Sequence, residues 1–141
     1  MNGTYEKLKP ILDCGVSIKF PLWPGHAEYE AFFADRGVSV LEAHYSTYAI
    51  AQQAELAISN GLSGISIEAN WAGTPVINLL EPWIPERRQR EMLLGLDGCV
   101  VSSYVDAPAH ILHPPAAPTK KVQDVDLRHV WNLIQSRLWA R

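Results

Sequence analysis

The chain has 141 residues, a formal net charge of −3, 48% hydrophobic and 19% charged residues. This is the length of one domain with a real core, and the charge balance argues against a nucleic-acid or membrane-surface partner. No apolar run reaches the ~18 residues of a membrane span, and the polar opening Met1 to Pro10 is no secretory leader, so a reduced, cytoplasmic protein is expected.

Periodicity predicts the elements in order. Thr4 to Cys14 reads as a short helix, interrupted or begun near Pro10 and ended by Gly15. Val16 to Phe20 is a first strand, and Pro21-Leu22-Trp23-Pro24-Gly25 is loop, because two prolines leave no ladder donors. His26 to Arg36 carries Tyr29, Phe32 and Phe33 at helical spacing, and Gly37 stops it. Val38 to Ala43 is a second strand. Ser46 or Thr47 caps the following helix, and Tyr48 to Leu56 carries that helix into the third strand.

From Ala54 to Leu80 the chain reads as strand, glycine-bearing loop, short helix, glycine turn and strand. Leu56 to Ser59 is the third strand and Asn60 to Gly64 the loop. Ile65 to Ala72 is a helix of about two turns, with Ser63 or Ser66 able to cap it. Gly73 and Pro75 end that helix, and Val76 to Leu80 is the fourth strand. Glu86 to Leu94 predicts a helix after a proline-rich loop containing Trp83, and Gly95 and Gly98 bracket a turn. Cys99 to Tyr104 is a fifth strand, and Asp106 to Leu112 a short helix. Residues 113–118 are a stiff proline-rich connector. Residues 124–140 form a final amphipathic helix, with Val125, Leu127, Val130, Trp131, Ile134 and Leu138 on or near one face.

Strands alternating with helices predict one α/β domain over residues 1–141. It is a three-layer α/β/α, Rossmann-like arrangement around a mainly parallel sheet of about five strands. Cys14 and Cys99 lie beside apolar runs without metal-ligand spacing, and buried free thiols are expected.

Ligands of such sheets bind beyond the C-terminal strand ends. The loop Asn60 to Ser66 offers amides and hydroxyls there to a diphosphate; equally it is a plain βα turn. It is neither a P-loop nor a dinucleotide fingerprint, for both spacings are missing. Glu68 near the start of a short helix suits the helix dipole, or accepts the two hydroxyls of a ribose. His44 and Tyr45 follow the second strand directly. His44 is a loop histidine, or it touches a base, a phosphate or a reacting hydroxyl.

His26 either opens its helix or meets a phosphate. Arg87, Arg88 and Arg90 form a solvated basic face or reach an acidic group. Trp23, Trp71 and Trp83 at or near loops hint at a binding surface. His110 and His113 have no third ligand in register, so no metal site is expected. Neither a nucleophile elbow nor a cysteine–histidine pair is present, and hydrolase triads find no support.

The segment NGLSGISIEANWAGTPVINL resembles the C-terminal nucleotide-sugar-binding domain of GT-B-type glycosyltransferases. Glu68-Ala69, the turn Gly73-Thr74-Pro75 and the strand at Val76-Ile77 stand in that family's order. The similarity extends over roughly residues 16–105. The resemblance implies that Ser63, Gly64 and Ser66 meet the diphosphate, Glu68 the ribose, and His44 and Tyr45 the base of a donor nucleotide. No further cofactor is implied.

Related polymerase-type transferases carry a basic-His-Pro sequence after an early strand; Lys19-Phe20-Pro21 lacks that histidine. The family's acceptor site and catalytic base sit in a separate N-terminal domain for which this chain has no room. Catalysis would therefore need a homodimer or a second glycosyltransferase subunit. The residues leave two other readings open. One is a homo-oligomeric interaction or regulatory module without a small ligand, presenting Trp23, Trp83 and the Arg87 to Arg90 helix. The other is a standalone enzyme acting at His44.

Overall fold

A computed structural model describes residues 1–60, 64–81, 85–93 and 96–119, with the side chains of 88, 89, 92 and 93 excepted. The expected helix 124–140, Ser63 and Trp83 lie outside the described residues.

Helix α1 spans Asn2–Leu12 and continues through Pro10. Pro10 sits in the last turn, so only one backbone bond is lost there. The helix closes with the Asp13 amide on the Lys9 carbonyl at 2.8 Å, and Gly15 follows at φ 79°. Strand β1 (Ile18–Lys19) pairs in parallel with β2 (Val40–Leu41), Ile18 opposite Val40 and Lys19 opposite Leu41. Between them runs α2, His26–Ala34.

Phe33 of α2 is fully buried, with its ring centroid 5.2 Å from Phe20, 5.6 Å from Tyr5 and 5.6 Å from Phe32. Edge-to-face packing of this kind ties α1, α2 and the end of β1 into one aromatic cluster.

Helix α3, Thr47–Ala51, is capped by the Ser46 hydroxyl, which accepts from the Ala49 amide at 3.4 Å. The Ala51 carbonyl at its end accepts from the Ala54 amide at 3.1 Å and from the Thr74 hydroxyl, in the turn after Gly73, at 2.6 Å.

Strands β3 (Ala57–Asn60), β4 (Val76–Leu79) and β5 (Cys99–Ser102) form a parallel sheet in that order, in register Ala57–Val76–Cys99. β4 is central and buried throughout, Asn78 included, as befits a strand covered on both faces. Helix α4, Gly64–Ala72, joins β3 to β4. It ends with Gly73 at φ 84°, the Gly73 amide on the Asn70 carbonyl and the Thr74 amide on the Ala69 carbonyl. Helices α5 (Glu86–Leu93) and α6 (Ala107–Leu112) flank β5 in sequence.

Three expectations are corrected. The strands form a two-stranded and a three-stranded parallel ladder, not one sheet of five. The predicted stretches Val16 to Phe20 and Val38 to Ala43 shrink to two paired residues each. Beyond Lys19 the chain turns Phe20 into the aromatic cluster and meets Pro21, which has no N–H to extend the ladder. Cys14 is exposed rather than buried, and Cys99 is half-buried. Cys14 lies beyond the end of α1, past the last residue, Ile11, that the helix buries.

The interior of the larger sheet is partly polar. Asn78, in the middle of β4, accepts from the buried Ser66 hydroxyl of α4 and donates through Nδ2 to Cys99 Sγ at 2.6 Å. These bonds tie α4, β4 and β5 and satisfy groups whose burial would otherwise cost stability.

Candidate functional site

Parallel pairing puts the ends of β3, β4 and β5, and the residues after them, on one edge: Asn60, Glu81, and Ser103 to Asp106. Two polar contacts organise that edge. The Tyr104 hydroxyl donates to Asn60 Oδ1, joining the ends of β5 and β3 across the sheet. The Ser103 hydroxyl donates to Asp106 Oδ2 at 2.7 Å, and the Asp106 amide returns to Ser103 Oγ at 3.1 Å, closing the turn into α6. Lys7 of α1 places its ammonium 3.8 Å from the Tyr104 ring centroid, a cation–π contact. Sequence reasoning missed Lys7, and no signal in the sequence could have found it. It lies 97 positions before Tyr104 (104 − 7) and reaches the edge only through the packing of α1 against α6.

The residues expected to meet a nucleotide fall in two groups. Gly64 opens α4 in free space: a Cβ built on it would meet nothing within 4 Å. Glu68 follows one turn later, half-buried, with no hydrogen-bond or ion-pair partner among the described residues. Ser66 lies inside the helix rather than at its cap. It is buried, and its hydroxyl is engaged by Asn78. Ser63 lies outside the described residues.

His44 and Tyr45 belong to the other ladder, just after β2. Their rings lie against each other, tilted at 46° with centroids 4.7 Å apart, and His44 Nδ1 stands 3.3 Å from Glu42 Oε2. Both are exposed. The structure brings them together with one another, and no described hydrogen bond joins them to α4. The loop that carries them runs through the cap at Ser46 into α3, which packs against α4.

The remaining candidates have local partners. His26 Nδ1 donates to the Trp23 carbonyl at 2.8 Å, a bond across the turn that starts α2. Arg87 pairs with Glu91 at 2.8 Å and Arg90 with Glu86 at 2.7 Å, each four residues apart along α5. The Arg88 side chain lies outside the described residues. Among the described residues, no group of three or more His, Cys, Asp or Glu is placed to hold a metal ion. No described helix is long and apolar enough to cross a membrane.

Burial raises the Cys99 thiol above its usual range, against the smaller opposing effect of the Asn78 amide. Cys99 is therefore a protonated core group at neutral pH rather than a nucleophile. Alkylation of the native protein at pH 8 is expected to label Cys14 on the order of tenfold or more faster than Cys99, because the thiolate is the reacting species and Cys14 is exposed. Peptide mapping of the labelled chain checks this, and a faster Cys99 would contradict the burial of its thiol.

No protein-family model, no curated protein and no solved structure matches the chain.

Proposed function

We propose that the chain is a nucleotide- or nucleotide-sugar-binding module of the kind found in half of a GT-B glycosyltransferase. In this reading a second copy or another glycosyltransferase subunit supplies the acceptor side for any catalysis. The observation that carries it is Glu68: a half-buried carboxylate without a described partner, one turn into a helix whose first residue, Gly64, opens on free space. A carboxylate held partly out of water with spare acceptor capacity suits two vicinal hydroxyls. The unobstructed backbone at Gly64 suits a phosphate approaching amide N–H groups at the positive helix end. The parallel β3–α4–β4 crossover supports the same reading, since it presents that helix start at the ligand-binding edge of an α/β sheet.

The exposed His44–Tyr45 pair offers a stacking surface for a base on the loop leading into α3. The Ser66 hydroxyl, engaged inside, holds α4 against β4, so the phosphate contact of that turn falls to the backbone. A cytoplasmic setting belongs to the same proposal and agrees with two unpaired cysteines, one of them exposed.

Titration calorimetry with UDP, GDP, CDP and ADP compounds tests the reading, and a folded sample silent across the panel would sink it. Glu68→Gln is expected to weaken the preferred nucleotide by about 1–3 kcal/mol, the cost of removing one charged hydrogen-bond acceptor, with little change in stability. Unaltered affinity in that variant removes the ribose role.

A second reading, an interaction module without a small ligand, is favoured by Ile67 and Trp71, which stay exposed on α4. Such a module tolerates Glu68→Gln silently and is silent in the nucleotide panel.

A further inference from the structure

We propose that Lys7 is the cation of the ligand site, its ammonium receiving a phosphoryl group at the edge formed by the ends of β3 and β5. The inference rests on the nucleotide reading, which otherwise gives the diphosphate only backbone N–H groups. A helix start offers about half a unit charge, far less than a diphosphate carries. Most other described cations are engaged or lie elsewhere. Lys9 pairs with Asp13, Arg87 with Glu91 and Arg90 with Glu86. Arg36 lies over Phe32, 3.5 Å from its ring centroid, and Lys19 belongs to the smaller ladder. Lys7 is exposed and has no hydrogen-bond or ion-pair partner among the described residues.

The packing of the two helix layers brings Lys7 to this edge. Successive residues of β4 point to opposite faces of the sheet. Ser66 of α4 meets Asn78 on one face, while Ile11 of α1 and Ala107 of α6 pack with Ile77 and Leu79 on the other. Lys7 stands one turn before Ile11, on the same side of α1, and so approaches the edge from the face opposite α4.

Tyr104 fixes where the ammonium rests, 3.8 Å from its ring centroid. The Tyr104 hydroxyl in turn is bonded to Asn60, the last residue of β3, from which the chain runs on to the start of α4 at Gly64. Contact with a ring face leaves the N–H donors of the ammonium unbonded. Asn60 accepts through Oδ1, and its Nδ2 hydrogens have no partner among the described residues. Asp106, an exposed acid at this edge, turns to Ser103. Lysine suits the task, being a compact point charge that meets phosphate from a movable stem.

Calorimetric titration of the full chain with inorganic pyrophosphate, with UDP, GDP, CDP and ADP, and with the matching nucleosides tests it. Lys7→Gln is expected to weaken pyrophosphate and the preferred diphosphate on the order of tenfold or more, the loss of a charge-assisted contact, and to leave the affinity of the nucleoside unchanged. Lys7→Arg is expected to keep most of the affinity. Tyr104→Leu, which removes the ring and keeps the charge, is expected to weaken the same compounds as Lys7→Gln. Diphosphate affinity that falls in Glu68→Gln and not in Lys7→Gln overturns this inference and leaves the nucleotide reading standing. Lys7-dependent binding of pyrophosphate, with no gain from any attached nucleoside, keeps Lys7 as an anion site and removes the nucleotide reading. A folded sample silent to every compound overturns both.

Discussion

Phe33→Ala is expected to lower the free energy of unfolding by about 3–5 kcal/mol, the usual cost of deleting a buried phenylalanine and leaving a cavity. The upper part of that range applies because the ring is fully buried and its neighbours cannot close in as one body. Tyr5 comes from α1, Phe32 from α2, the helix that carries Phe33, and Phe20 from the chain just after β1. Collapse onto the void would have to move three elements at once, and each is held elsewhere. Tyr5 also lies under the Arg36 guanidinium, 5.5 Å from its ring centroid, so the cluster reaches the end of α2. Against a total stability of about 5–15 kcal/mol, the variant approaches complete unfolding at 37 °C. Urea denaturation followed by circular dichroism measures it. A loss below about 1 kcal/mol would mean that Phe33 does not sit in a closed core.

The second large effect is at Gly98. This residue has φ +69°, and a Cβ built on it would lie 2.8 Å from the Ala116 carbonyl oxygen and 2.8 Å from both the nitrogen and Cδ of Pro118. The two penalties are independent. An L-residue in the left-handed region costs about 1–2 kcal/mol, and forcing an extra methyl into packed backbone costs about 1–3 kcal/mol. Relief by movement of the connector is opposed by the two Thr119 bonds to Asp97. Gly98→Ala should therefore lose about 2–5 kcal/mol in a urea titration.

Gly15→Ala is the matched control. Gly15 has φ +79° with nothing within 4 Å of its would-be Cβ, so only the conformational part, about 1–2 kcal/mol, applies. Equal losses in the two variants would show that the connector is not seated on Gly98.

Local residue chemistry determined much of this fold. The alternation of apolar runs with helical patterns placed β3, α4, β4 and β5 within a residue or two of where they occur, and marked them as parallel. The Ser46 cap and the stop at Gly73 were equally legible, because caps and left-handed glycines are decided by neighbours in sequence. The sequence placed Gly64 in the loop before α4; in the structure it opens the helix, one turn ahead of Glu68.

What required the tertiary structure was every feature made by groups distant along the chain. The Ala51 carbonyl at the end of α3 accepts from a threonine 23 positions on. β1 stops at Lys19, and Phe20 turns into an aromatic cluster drawn from two helices. Ser66 meets Asn78 because α4 lies across β4 with that side inward. Lys7 reaches the sheet edge because α1 packs against α6. Periodicity reports which side of an element is apolar, a property of the element alone. Which partner meets that side depends on the whole set of loop closures and burials that folding satisfies together, and that set is written in no single stretch of the chain.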